Sequence, residues 1–188
     1  LKYELQTFEN AKREKAKGSM PSMLDAAVVE YTLRRMSRGG LKKSFAIGTR
    51  LRGGQPGDIN AWENGIGHLV AVSSRMRGMT ITNCLALAAI KAAGKGWFIY
   101  LDPPYLLSTR TAKKAYEEYE MTPEQHAELL AACLEAGKRG AKIVLSGYRS
   151  ALYDAALKDW NRFDKTVANA SGQGKVKAKR VECVWCNF

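Results

Sequence analysis

Gly96-Trp97-Phe98-Ile99-Tyr100-Leu101-Asp102-Pro103-Pro104-Tyr105 sets the reading of the whole chain. Trp97 to Leu101 is a short, unbroken apolar run of aromatic and β-branched residues, the pattern of a strand buried on both faces. Asp102 stops it and two prolines follow. Neither proline donates a backbone N–H, and Pro104 biases Pro103 away from the helical region. The chain is therefore expected to leave the sheet as a stiff, extended loop at the carboxyl end of a strand. Open α/β sheets bind their ligands there.

Such a loop carries a carboxylate, main-chain carbonyls whose direction the prolines fix, and an aromatic ring three residues on. The carboxylate and a carbonyl can accept hydrogen bonds from an exocyclic amine, and the ring can stack on a planar base. That is the equipment for holding an extruded nucleobase by its amine. Asp-Pro-Pro is also a common turn, in which case Tyr105 simply caps the core. The buried strand before it favours the site.

Leu101-Asp102-Pro103-Pro104-Tyr105 resembles the DPPY motif of the amino-methyltransferases, specifically the adenine-N6 DNA methyltransferases of a Dam-like, phage-type branch. The downstream chain agrees: Tyr116, Met121-Thr122 with His126 and Leu129-Leu130, Ile143 to Tyr148, Leu152-Tyr153-Asp154 with Trp160, and Glu182 to Trp185. The resemblance implies an α/β fold, a Rossmann-like S-adenosylmethionine-dependent methyltransferase sheet. It implies methyl transfer from S-adenosyl-L-methionine to N6 of adenine in double-stranded DNA, on a flipped base. Asp102 and the main-chain oxygen of Pro103 would hold and activate N6, Pro104 would stiffen the loop, and Tyr105 would stack on the base. Asp rather than Asn or Ser at the motif's first position points to adenine.

The departures from the family pattern are as informative. Before Asp102 no Gly-x-Gly loop follows a buried strand, so the sheet is expected to lack its first two strands and most of its cofactor pocket. At the position after the third strand, where the family often has an acid, the chain reads Asn83-Cys84-Leu85. Asn83, Cys84 and Asp102 are the candidate cofactor-binding residues. The chain starts at Leu1, without methionine. It is expected to be the C-terminal part of a longer enzyme, a truncated copy or one part of a split enzyme, partnered by an N-terminal half that carries the glycine motif. The competing expectation is a catalytically inactive DNA-binding remnant.

The bulk composition limits the partners. A chain of 188 residues with a formal charge of +12 is one domain or one domain with an insertion, and implies an anionic partner, most simply nucleic acid. No stretch approaches the ~18–20 apolar residues of a membrane span, and the N-terminus lacks a secretory pattern. The expected location is the cytoplasm of a bacterial or phage-infected cell, in phage biology or a restriction-modification setting. Cys183-Val184-Trp185-Cys186 is a lone CxxC with no second pair, so reduced thiols and no metal site are expected.

Three segments follow: a polar stretch over 1–20, a helical, basic target-recognition segment over 21–77, and a partial catalytic core over 78–188. The first is expected to be a surface helix or mobile. In the second, a helix is expected from Leu24 to Met36 with Leu24, Ala27, Val28, Tyr31 and Met36 near one face, ended by Gly39-Gly40. From Arg34 to Arg52 come seven basic residues and no acid: Arg34, Arg35, Arg38, Lys42, Lys43, Arg50 and Arg52. Such a run suits the sugar–phosphate backbone, though it also fits a solvated basic face. Gly53 to Asp58 reads as a loop too glycine-rich for regular structure. Asn60 to Arg77 reads as a helix with Trp62, Ile66, Leu69 and Val70 inward and His68 partly buried.

In the third segment Met79 to Thr82 reads as a strand and Leu85 to Ala93 as a helix, a β–α–β unit running into the Trp97 strand. Leu106 to Glu120 suits base closure, DNA tracking or plain surface equally. Thr122-Pro123-Glu124-Gln125 is a helix start, with His126 structural. Ala141 to Leu145 is a buried strand that brings Tyr148 beside the Asp102 loop, as a base contact or a gap filler. Ala151 to Trp160 reads as a helix. Phe163 to Val167 and Val181 to Phe188 read as an antiparallel pair, joined by a basic loop whose Lys175, Lys177 and Lys179 are candidate phosphate contacts.

Overall fold

A computed structural model describes residues 2–110, 119–168 and 179–188. The chain divides into two units, Leu1–Ile81 and Thr82–Phe188.

The first unit is built from α1 (Leu5–Ala16), α2 (Met23–Arg35), a two-stranded hairpin of β1 (Leu51–Arg52) and β2 (Gln55–Pro56), α3 (Gly57–Gly67) and α4 (Leu69–Met76). Its core is Phe8, Ala11, Leu33, Met36 and Trp62, with Tyr3, Tyr31 and Phe45 packed around them. Four expectations change here. The N-terminal helix is part of the core, since Phe8 is fully buried.

α2 turns a different stripe inward: Val29, Thr32, Leu33 and Met36 are buried or half-buried, while Leu24, Ala27 and Val28 face solvent. The helix carries two apolar stripes, and α1 covers the one that includes Leu33. The Gly53–Asp58 stretch is not irregular. Gly53 and Gly54 take φ of 60° and 83°, the left-handed pair that a two-residue hairpin turn demands. Finally, the Asn60–Arg77 helix breaks at His68 into α3 and α4. Only Trp62 of its stripe is buried, Ile66, Leu69 and Val70 are exposed, and so is His68.

The second unit contains α5 (Ala86–Ala92), β3 (Phe98–Leu101), α6 (Pro123–Lys138), β4 (Lys142–Gly147), α7 (Ala151–Ala156), β5 (Asn161–Ala168) and β6 (Lys179–Cys186). The strands form one mixed sheet in the order β3-β4-β6-β5. β3 and β4 are parallel, with Ile99 opposite Ile143 and Leu101 opposite Leu145. β6 runs antiparallel to both β4 and β5. The mixed α/β architecture is compatible with a methyltransferase fold. α6 opens with a capping box, Thr122 accepting from Gln125 N while Gln125 accepts from Thr122 N. It then lays Leu129, Leu130, Cys133 and Ala136 on Ile143 and Leu145. β5 and β6 are the antiparallel pair that their sequences predict.

Three further expectations change. Met79 to Thr82 has no regular secondary structure, so among the described residues no strand lies directly before α5 and the β–α–β unit does not form; Met79, Ile81 and Leu85 are exposed. The Trp97 strand is not buried on both faces. Ile99 and Leu101 turn towards the helices, but Phe98 and Tyr100 are 64% and 60% exposed. β3 is an edge strand of the described sheet, and its outer face is uncovered. α7 ends at Ala156, four residues before Trp160. The CxxC lies along β6, where residues three apart point to opposite faces, so Cys183 and Cys186 cannot both reach one ion.

Candidate active site

Asp102 is the first residue beyond the β3–β4 ladder, whose last pair is Leu101–Leu145. That places it beside Ser146, the residue after Leu145. Ser146 is 6% exposed, and its hydroxyl lies 2.8 Å from Asp102 Oδ1 and 3.1 Å from the Leu101 carbonyl. The Tyr100 hydroxyl donates to Ser146 Oγ at 3.5 Å. Asp102 itself is exposed, and among the described residues its second oxygen has no hydrogen bond like the one Oδ1 makes to Ser146.

A cavity of about 530 Å³ opens at this carboxylate. Its walls are mostly apolar: Leu85, Ala86 and Leu87 at the start of α5, Leu101, Pro103 and Pro104 of the loop, and Met121 and Leu129 along α6. Asp102, Gln125 and Glu128 supply the charged and amide groups. α5 is held by Arg139, whose guanidinium donates to the carbonyls of Ile90, Lys91 and Ala93 at 3.2, 3.0 and 3.0 Å. Those donors help satisfy the carbonyls at the helix's end, where the Ala93 N–H already bonds the Ile90 carbonyl.

Tyr105 does not line the cavity. Its ring packs edge-on against Tyr148, centroids 4.7 Å apart, and the Arg180 guanidinium lies 5.6 Å above the Tyr148 ring. Burial first, and then the Asp102 carboxylate, push the Tyr105 phenol up to about 12. Behind this pair His126 is fully buried with Nδ1 2.9 Å from the Tyr153 hydroxyl. Burial and then Arg110 lower its pKa, in keeping with a structural residue of the core. Arg110 and Glu120 form an ion pair with both side chains largely buried. The two flank residues 111–118, so Lys113, Lys114 and Tyr116 lie outside the described residues.

Asn83 and Cys84 are exposed and stop short of the cavity wall, which begins at Leu85. Of the predicted cofactor residues only Asp102 lines it. The sequence reading missed Leu85 to Leu87, Gln125, Glu128 and Ser146. The register of two parallel strands pointed to Ser146, because Ser146-Gly147-Tyr148 ends its strand where Asp102 ends its own.

The predicted basic run is spread over the end of α2, a loop and the hairpin. Arg34 and Lys42 both pair with Glu30, at 2.6 and 3.0 Å, and so does Lys15, at 2.9 Å. Although burial acts to raise the Glu30 pKa, the hydrogen bonds from Lys15, Lys42 and Arg34 outweigh it and hold the carboxyl at about 2. The run therefore has an acid after all, four residues upstream of Arg34. Arg35 donates to the Ala61 carbonyl at 2.7 Å. Arg38, Arg50 and Arg52 are exposed, and among the described residues they form no ion pair. Lys43 is exposed as well. Lys179 opens β6, and Lys175 and Lys177 lie outside the described residues.

The family model for D12 class N6 adenine-specific DNA methyltransferases matches residues 65–170. The chain belongs to this family. The match spans α4, α5, the Asp102 loop and the sheet as far as β5, which is most of the second unit, and the basic run lies ahead of it. No curated protein matches the chain. The family's reaction is methylation of adenine N6 in DNA, dependent on S-adenosylmethionine, so the protein is a DNA methyltransferase. No helix among the described residues is long and apolar enough to cross a membrane.

Proposed function

We propose that this methyltransferase of the Dam-like, phage-type branch acts on an adenine flipped out of the duplex and held at the Asp102–Tyr105 loop. The observation that carries this reading is Asp102 in the wall of the cavity, exposed, with one carboxylate oxygen tied to Ser146. An aromatic amine is a poor nucleophile because its lone pair is delocalised into the ring. Asp102 and the Pro103 carbonyl accept the two N6–H bonds and favour the pyramidal geometry in which that pair is released. Pro104 keeps the carbonyl aimed. Tyr105 stacks on the base, and Tyr148 backs Tyr105. Asp102 is also the nearest acceptor for the proton that N6 loses. The chain thus works by positioning and electrostatics, without a covalent intermediate.

The cavity suits the cofactor. Its volume falls within the roughly 300–1,000 Å³ of small-molecule sites, and apolar walls with two carboxylates and an amide suit a purine nucleoside with hydroxyls and a cationic tail. Leu85, Leu87, Pro103 and Leu129 would flank the purine, and Gln125 and Glu128 would take the polar groups, with Asp102 between cofactor and base and Asn83 and Cys84 at the approach. When bound, S-adenosylmethionine supplies the electrophilic methyl group. DNA is gripped through Arg34, Arg35, Arg38, Lys42, Lys43, Arg50 and Arg52, with Lys175, Lys177 and Lys179 as further phosphate contacts. In this reading the first unit, whose core includes the N-terminal helix, serves target recognition, and the second unit serves catalysis. The cytoplasm of a bacterial or phage-infected cell, in a restriction-modification or phage setting, is the matching location.

A second reading is favoured by β3 standing at the edge of the described sheet and by the lack of a Gly-x-Gly loop after a buried strand. In it, this polypeptide is an inactive DNA-binding remnant, or becomes active only with an N-terminal half that adds the first two strands. Calorimetric titration with S-adenosylmethionine, alone and with the product of any adjacent upstream reading frame, separates the two. Binding with Asp102→Ala abolishing methylation but sparing DNA affinity supports the enzyme. No heat under either condition makes the chain a remnant.

A further inference from the structure

We propose that Ser146 is a positioning residue for Asp102: its hydroxyl holds Oδ1 so that Oδ2 alone is presented to the adenine amine. The inference rests on the base-holding reading above and assigns a role that the DPPY motif does not contain. Asp102 lies one residue past the last rung of the β3–β4 ladder, so backbone pairing does not fix its side chain. Ser146 is fixed: it pairs with Val184 of β6 and is 6% exposed.

The Ser146 hydroxyl has one hydrogen and several claimants. Asp102 Oδ1 at 2.8 Å is nearer than the Leu101 carbonyl at 3.1 Å, and a carboxylate makes the stronger, shorter bond. The hydrogen therefore goes to Asp102. Tyr100, at 3.5 Å, donates to the oxygen it leaves free. Tyr100 thus donates to Ser146 and Ser146 to Asp102, two hydrogen bonds running in one direction and ending on the carboxylate.

Ser146 and Asp102 come from different strands, and the bond locks two parallel strand ends together at the site. A carboxylate with both oxygens free would rotate and present either one. With Oδ1 occupied, the amine meets a single acceptor in a single direction, which is the pre-organisation that in-line transfer needs.

The test needs neither turnover nor cofactor. Single-stranded oligothymidylate carrying one central adenine, or one unsubstituted purine that lacks the amine, avoids the cost of flipping. The ratio of their two Kd values reads the amine-holding contribution alone. The unsubstituted chain is expected to prefer adenine by about tenfold, the scale of a hydrogen bond to a charged group. Ser146→Ala should bring the ratio towards one, with the affinity for the purine oligonucleotide unchanged. Ser146→Thr, which restores the hydroxyl, should recover it, and thermal melts of both variants identify any loss of folding. A crystal structure of Ser146→Ala should show the Asp102 carboxylate rotated. A ratio kept in Ser146→Ala but lost in Asp102→Ala, or a carboxylate that has not moved, overturns this inference and leaves the base-holding reading intact. A ratio near one in the unsubstituted chain overturns both.

Discussion

Tyr105 stands edge-on to Tyr148, ring centroids 4.7 Å apart and planes at 80°. An edge-to-face pair leaves a ring face available, and aromatic stacking is worth about 1–3 kcal/mol per base. Tyr105→Ala is therefore expected to weaken the hold on the extruded base by about tenfold to a hundredfold. Tyr105→Phe keeps the ring and should lose little. Tyr148→Ala removes the backing and should fall between them. The emission of a 2-aminopurine placed at the target position reports the three variants. Equal loss in Tyr105→Phe and Tyr105→Ala would make the hydroxyl, not the ring, the important part.

The same phenol carries a pH signature. Burial first and the Asp102 charge second push Tyr105 up to about 12, against an unfolded value near ~10. A raised folded pKa contributes stability that is whole below the unfolded value and is lost as pH rises through the folded one. The expected loss lies in the window from ~10 to about 12. Asp102→Asn removes the second cause and should bring the Tyr105 transition down, as followed by NMR of isotope-labelled tyrosine. A transition that stays put would mean burial alone sets it.

Glu30 works in the opposite direction. Three cations hold it at about 2, below its reference of 4.5. A depressed folded pKa gives stability that is present above the unfolded value and lost as pH falls through the folded one. The first unit is thus expected to lose stability as pH drops from 4.5 to about 2. Glu30→Gln should flatten that part of the curve in acid unfolding followed by circular dichroism. Its side chain is 38% exposed, so screening keeps the effect modest. An unchanged acid limb would show that the three contacts are surface pairs of no consequence.

Local chemistry was legible in this sequence and long-range packing was not. Thr122-Pro123-Glu124-Gln125 encodes its own capping box, and α6 begins where those residues say. The β5–β6 pair and β4 were also readable, because alternation and apolar runs are properties of short windows. Met79 to Thr82 has strand composition but finds no neighbour, and a strand exists only where its backbone can pair. Phe98 and Tyr100 read as core residues since composition does not reveal whether a sheet face is covered. In α2 the periodicity was real but twofold, and only the arrival of Phe8 from α1 decides which stripe is buried. At the site, Asp102 to Tyr105 could be read as a motif. Ser146-Gly147-Tyr148 could be placed beside that loop, but the bond from the Ser146 hydroxyl to Asp102 could not, since it comes from the register between two strands that lie 44 residues apart in sequence.

The basic run makes the last prediction, because its seven cations are not equivalent. Arg34 and Lys42 are already engaged with Glu30, and Arg35 with a carbonyl. Arg38, Arg50 and Arg52 are exposed, with Arg52 on the hairpin whose Gly53-Gly54 turn keeps its strands close. Each phosphate contact removed lowers the slope of log affinity against log salt by about one. Arg38→Ala, Arg50→Ala and Arg52→Ala should each take about that much from the slope. Arg34→Ala and Lys42→Ala should take less from the slope, since Glu30 already offsets part of their charge, although removing either also leaves that carboxylate partly uncompensated near the DNA. That second effect has its own control: Glu30→Gln releases three cations and should tighten DNA binding, more at low salt than at high. Five equal slopes with no gain in Glu30→Gln would return the run to a solvated surface, and DNA recognition would then belong to the second unit.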